Sequence, residues 1–164
     1  MANPTLHVLF LCTGNSARSI LAEAILSQEG RGRFSAHSAG SHPKGEVHPL
    51  ALSILRDFGH PVAGLRSKSW EEFAGPQAPE LDLIFTVCDN AAGELCPIWP
   101  GHPMTVHWGL ADPAAVEGSE AECRRAFAET YRALQKRIGR LINLPMGWND
   151  RAGLKAKLME IGRG

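Results

Sequence analysis

Apolar and polar positions divide the chain into short runs with distinct periods. LHVLFL, residues 6–11, is apolar almost throughout and of strand length, which predicts a buried strand. A polar loop from Cys12 to Ser19 follows. Ile20, Leu21, Ala24 and Ile25 then recur at helical spacing and predict a helix from Arg18 to Gln28, stopped by Gly30 and Gly32. RFSAHS, 33–38, alternates and predicts a second strand. Pro49 suits the first position of a helix whose stripe is Leu52, Leu55 and Phe58 and whose end is Gly59. LDLIFTV, 81–87, predicts a third strand buried on both faces, and MTVHW, 104–108, a fourth. Ser119 and Glu122 form an S-x-x-E capping box. The helix they open carries Phe127, Tyr131, Leu134, Ile138 and Leu141 on one face. Residues 150–161 predict a short further helix.

Strand, helix, strand, helix, strand in this order implies parallel crossovers and an α/β sandwich. Ligands in such sheets bind beyond the carboxyl ends of the strands, where the Cys12 loop stands. The body of the domain is expected over 1–146, with 147–164 as a C-terminal tail.

Composition narrows the function classes. A chain of 164 residues suits one compact domain. Lys plus Arg and Asp plus Glu each number 17, so no global field favours nucleic acid or an acidic membrane as partner. With no basic leader and no membrane-length apolar run, a soluble, cytoplasmic protein is expected, and nothing in the sequence contradicts a monomer. Trp70, Trp99, Trp108 and Trp148 are scattered and offer no stacking platform for bases. Trp99 and Trp108 flank the loops discussed below and are expected to shape a pocket mouth. Four cysteines, Cys12, Cys88, Cys96 and Cys123, are too few for a disulfide scaffold and point to catalytic, redox or packing roles in a reducing compartment. Cys123, on the long helix, is read as packing.

The loop CTGNSARS, from Cys12 to Ser19, is a C-x5-R-S pattern between strand and helix. Such a curl turns the backbone N–H groups of Thr13, Gly14, Asn15, Ser16, Ala17, Arg18 and Ser19 inward, beside a helix N-terminus, as an anion cradle. Gly14 and Asn15 tolerate the positive φ angles of the bend. Arg18 supplies a planar fork for two oxyanion oxygens. At the centre Cys12 is expected as a thiolate, with a pKa of roughly 4–7 as in comparable settings.

These residues resemble the low-molecular-weight tyrosine phosphatase superfamily, and within it the arsenate reductase branch. The resemblance is carried by VLFLCTGNSARSILAEA, FSAHSAG, LDLIFTVCDNAAGELCP and HWGLADPAAVEG, across most of 7–145. It implies a single α/β domain with a central four-stranded parallel sheet flanked by helices on both faces. It implies that Asp112, in GLADPAA, is the general acid that protonates a leaving oxygen. It also implies that Cys12, Cys88 and Cys96 act in that order as nucleophile, second thiol and third thiol. Arsenate is then the substrate, and thioredoxin, or glutathione with glutaredoxin, the electron donor; mycothiol serves some relatives. Phosphatases of the superfamily place aromatic residues after the acid, whereas here Pro113, Ala114, Ala115 and Val116 follow it. Some arsenate reductases of this type bind potassium, and Asn15, Glu23 and Ser38 match three of the positions involved. Trp70 falls at the fourth, so Asn15 and Ser38 are read as braces for the loop.

No cofactor is expected. The spacing of Cys88, Cys96, His102 and His107 is too wide for usual structural zinc, so no metal site is assigned, and His107 is read as a hydrogen-bonded residue. Two other functions compete with arsenate reduction. A protein-tyrosine or small-molecule phosphatase needs Cys12, Arg18 and Asp112 but neither Cys88 nor Cys96. A non-catalytic oxyanion-binding module needs only the cradle.

Overall fold

The apolar run at the start of the chain is buried because it lies inside a sheet. In the computed structural model, which describes residues 5–88 and 103–163, β1 (Leu6–Cys12) pairs in parallel with β2 (Phe34–Gly40) on one side and β3 (Leu83–Thr86) on the other. β3 pairs in parallel with β4 (Met104–His107), giving the order β2-β1-β3-β4. The four parallel strands expected from the sequence are all present. β3 is shorter than the apolar run 81–87, though Leu81 and Val87 at its ends are also buried.

Side chains alternate across β1. Val8, Phe10 and Cys12 enter one core, and Leu9 and Leu11 enter another on the opposite face. The first and larger core is packed by α1 (Arg18–Glu29), α2 (Pro49–Asp57), α3 (Glu120–Asn143) and α4 (Arg151–Ile161). Among the described residues, the second face carries the 3-10 turn Trp70–Phe73, whose Phe73 packs with Leu9, Leu11, Leu81 and Ile84.

α3 buries all five residues of the expected stripe. Ser119 caps it, its hydroxyl accepting the Glu122 N–H at 3.1 Å. α2 is rotated from the expected stripe: Ala51, Ile54 and Leu55 are buried and Leu52 only half so. Phe58 lies beyond the helix end, 40% exposed, and stacks on Tyr131 with ring centroids 4.2 Å apart. The apolar positions 51, 54, 55 and 58 follow the helical period more closely than 52, 55 and 58 do.

α4 packs into the main core through Leu154, Leu158 and Ile161. It covers Trp108, which is fully buried and donates its indole N–H to the Leu158 carbonyl at 2.8 Å. Trp108 therefore stands beneath the C-terminal helix and does not form a pocket mouth. A buried indole needs an acceptor for its N–H, and the end of α4 provides one. Trp99 lies outside the described residues. Among the described residues, no helix is long and apolar enough to cross a membrane.

Candidate active site

β1 ends at Cys12 and α1 begins at Arg18, so the intervening five residues must reverse within a short span. Asn15 makes this curl at φ +45°, the only non-glycine residue with positive φ among those described. It is fully buried. Its side-chain Oδ1 accepts the Lys68 N–H at 2.9 Å, and its side-chain Nδ2 donates to Ser19 Oγ at 2.8 Å.

The carbonyls of the loop turn outward. Thr13 O accepts from His42 N at 2.9 Å, Gly14 O from Lys44 N at 3.0 Å and Ser16 O from His48 N at 2.9 Å. In a trans peptide the following N–H points the opposite way, so the N–H groups of Gly14, Asn15 and Ala17 turn away from these partners. α1 has no side-chain cap at Ala17, which leaves its N-terminal donors available to a ligand. Gly40 is needed where β2 passes the loop: a Cβ there would stand 2.5 Å from Thr13 O and 2.9 Å from Cys12 O.

Beside the loop is a cavity of about 180 Å³, walled by every residue from Cys12 to Arg18 except Asn15, by His42 and Lys44, and by Asp112. Arg18 donates to Leu110 O at 2.8 Å, and its second terminal nitrogen lies 3.7 Å from Asp112 Oδ2. Its Nε is buried without a hydrogen-bond partner among the described residues. Asp112 opens the 3-10 turn Pro113–Ala115, with Oδ1 accepting the Ala114 N–H at 3.0 Å and the carboxylate facing the cavity wall. Two residues missed in the sequence, His42 and Lys44, complete the rim. Their signal was the loop SHPKGE at the carboxyl end of β2, the same sheet edge as Cys12.

Cys88 follows β3 and reaches the same loop. Its sulfur accepts the Thr13 N–H at 3.3 Å and lies 3.6 Å from Thr13 Oγ1. The Cys12 and Cys88 side chains are neighbours at this loop. That partner, and then burial, push the Cys12 thiol up from its ordinary range, while the Arg18 guanidinium and the Gly14 N–H pull it down. The donors expected to stabilise a thiolate are thus in place, but the second sulfur outweighs them. Two sulfurs in contact resist carrying two negative charges, so the pair holds on to a proton.

Cys96 lies outside the described residues. Cys123, in the first turn of α3, is half-exposed and donates to the Val116 carbonyl at 3.4 Å. His107 Nδ1 shares a hydrogen bond of 2.7 Å with Thr86 Oγ1. No three His, Cys, Asp or Glu side chains converge on a metal position among the described residues.

Residues 7–157 match the profile of the low molecular weight phosphotyrosine protein phosphatase family. An arsenate reductase of Halalkalibacterium halodurans is 34% identical over 131 residues, covering 80% of this chain and 91% of its own. The solved structure of a thioredoxin-dependent arsenate reductase from Corynebacterium glutamicum is similar, with a TM-score of 0.56 and 29% identity, over 86% of this chain and 65% of that one. A low molecular weight protein tyrosine phosphatase from T. tengcongensis shares the fold, with a TM-score of 0.67 and 23% identity over 85% of this chain and 99% of that one.

Proposed function

We propose that this chain, which belongs to the low molecular weight phosphotyrosine protein phosphatase family, reduces arsenate to arsenite with Cys12 as nucleophile. The observation that carries this reading is the second sulfur. A phosphatase needs one thiol in its cradle, whereas here Cys88 lies beside Cys12, its sulfur accepting the Thr13 N–H at 3.3 Å. Two adjacent thiols supply the two electrons that reduction of As(V) to As(III) consumes.

In this reading a tetrahedral oxyanion sits over Cys12, against the inward N–H groups and the Arg18 guanidinium. A buried donor without an acceptor costs on the order of 1–3 kcal/mol, and the oxyanion offers an acceptor to the Arg18 fork. The Cys12 thiolate attacks arsenic, one oxygen accepts a proton from Asp112, and water leaves. A Cys12–arsenic bond then replaces an arsenic–oxygen bond. Cys88, which holds the proton of the pair, next gives it up to an oxygen of the departing arsenic oxyanion as its sulfur attacks Cys12 Sγ. The sulfur–arsenic bond breaks with its electron pair left on arsenic, so arsenite departs and a Cys12–Cys88 disulfide forms. Cys96 then attacks Cys88, freeing Cys12 as a thiolate and leaving a Cys88–Cys96 disulfide for an external dithiol to reduce. Thioredoxin is the donor this relay favours, supported by the thioredoxin-dependent relative. Glutathione with glutaredoxin is the alternative, and it makes Cys96 dispensable. A reducing, cytoplasmic setting suits either donor.

Phosphatase activity is the second reading. It is favoured by the family profile and by Cys12, Arg18 and Asp112 sharing one cavity. Against it, the turn after Asp112 holds Pro113, Ala114 and Ala115, none of which offers an aromatic face to a phosphotyrosine ring. The test is arsenite release from arsenate by the purified protein, supplied either with thioredoxin and its reductase or with glutathione and glutaredoxin, with Cys12→Ser as blank. Turnover with thioredoxin that Cys96→Ser abolishes is the expected result. Absence of arsenite with both donors, beside strong hydrolysis of an aryl phosphate, would replace this reading with the phosphatase.

A further inference from the structure

Outside the lining of the cavity lies a largely buried ion pair that the chemistry above does not use. The Lys68 side chain is only 9% exposed and Glu23 16%, and their charged ends are 3.6 Å apart. Lys68 Nζ also donates to the Arg66 carbonyl at 2.8 Å and to Ser38 Oγ at 3.5 Å, and Ser38 in turn donates to Glu23 Oε1 at 2.5 Å. The backbone of the same lysine holds the loop directly. Its N–H bonds the Asn15 side chain at 2.9 Å, and its carbonyl accepts the Gly40 N–H at 2.9 Å. Asn15 is the residue at positive φ on which the curl depends.

A carboxylate, a hydroxyl and a carbonyl oxygen around one point make a donor set that suits a hard cation. Two of them, Glu23 and Ser38, are among the positions matched to the potassium site of related arsenate reductases. Here that point is taken by an ammonium covalently attached to the chain. A potassium ion does not fit beside it, since the space and the single compensating charge of Glu23 are already committed.

We propose that Lys68 is a built-in cation, a positioning residue that fixes the oxyanion loop and makes it independent of potassium. The side chain ties α1 through Glu23 to β2 through Ser38, and the backbone ties both to Asn15 and Gly40. Removing the ammonium leaves a buried carboxylate without its partner, which is the costly half of a broken buried pair. It also opens, in the same place, an oxygen-lined hollow with one negative charge.

The experiment compares thermal midpoints in equal concentrations of potassium and sodium chloride. The wild-type protein is expected to show the same midpoint in both salts. Lys68→Ala is expected to lose roughly 5–10 °C in sodium and to recover a substantial part of that loss in potassium, a rescue that mere loss of packing would not produce. A wild-type protein stabilised by potassium over sodium would overturn the proposal. So would a Lys68→Ala protein with an unchanged midpoint, or one equally destabilised in both salts. Should Lys68→Ala fail to fold, the wild-type comparison and the milder Lys68→Met variant, which should be destabilised alike in both salts, decide the matter. The inference does not rest on arsenate reduction. Phosphate affinity of the wild-type protein, measured alongside, reads the cradle separately, so loss of one conclusion is distinguishable from loss of the other.

Discussion

Cys12 is caught between opposing neighbours, and which of them dominates is open to direct test. The Cys88 sulfur is the largest influence raising its thiol, ahead of burial, and Arg18 is the largest lowering it. Replacing Cys88 by Ala removes the raising partner and leaves Arg18 and the Gly14 N–H in place. The alkylation of Cys12 by iodoacetamide, followed by mass spectrometry of the Cys12 peptide, should then shift to lower pH, because the thiolate is the reactive form. An unchanged profile would show that burial, not the second sulfur, holds the proton. Lys44 stands at the rim of the same cavity, its stem folded over Gly14, and the His48 ring is held below its ordinary value first by burial and then by the Lys44 charge. A rim cation that meets substrate and transition state alike lowers KM without raising kcat. Lys44→Met should therefore raise KM for the oxyanion roughly 3- to 10-fold with kcat little changed, and Lys44→Arg should restore it. At this scale Cys12, Asn15 and Arg18 were legible because their spacing and backbone demands are local. Lys44 and Lys68 were not, because they depend on which segments the sheet brings together, and Cys88 was reached only through the family resemblance.

Strand pairing produces a feature that no single segment contains. β1 and β2 run in parallel register, with Leu9 opposite His37 and His7 opposite Ser35, so both histidines fall on the minor-core face. Their rings stack 5.3 Å apart, with His7 Nδ1 3.1 Å from His37 Nε2. Burial first, then His7 and Lys68, lower His37 to about 4 from the ordinary 6.5. The unfolded chain therefore takes up this proton before the folded one does. The stabilisation is present above about pH 6.5 and is lost as pH falls towards about 4. Thermal midpoints measured across that window should fall with acid, and the fall should be shallower in His37→Gln than in the wild type. Equal slopes would assign the acid sensitivity to other groups. The strands themselves were readable from their apolar runs, and the long helix α3 from its five-residue stripe. The face of α2 was misread by one position, since Phe58 is 40% exposed against Tyr131 and the core takes Ala51 and Ile54 instead. A nine-residue helix offers too few turns for its stripe to be fixed by sequence alone.

For the molecule as a whole, the C-terminal helix decides where the domain ends. The segment after residue 146 reads in the sequence as an appendage, because its apolar positions are sparse and its partner lies some fifty residues earlier. In the fold, Leu154, Leu158 and Ile161 enter the same core as β1, α1 and α3, and the Leu158 carbonyl takes the indole proton of Trp108. Trp108 in turn packs on Phe85 of β3, with centroids 3.9 Å apart, and its backbone leads within two residues to Leu110, whose carbonyl holds Arg18. α4 is therefore continuous with the support of the acid loop. Truncating the fully buried Leu158 to Ala removes core contacts and leaves a cavity, a change that costs about 2–5 kcal/mol. Denaturant unfolding of Leu158→Ala should show one transition, with a lower midpoint and an unchanged slope, as expected when a single cooperative unit loses stability without changing its exposed area. Two transitions, or a midpoint equal to the wild type, would mean that the helix unfolds independently and that the domain closes before it.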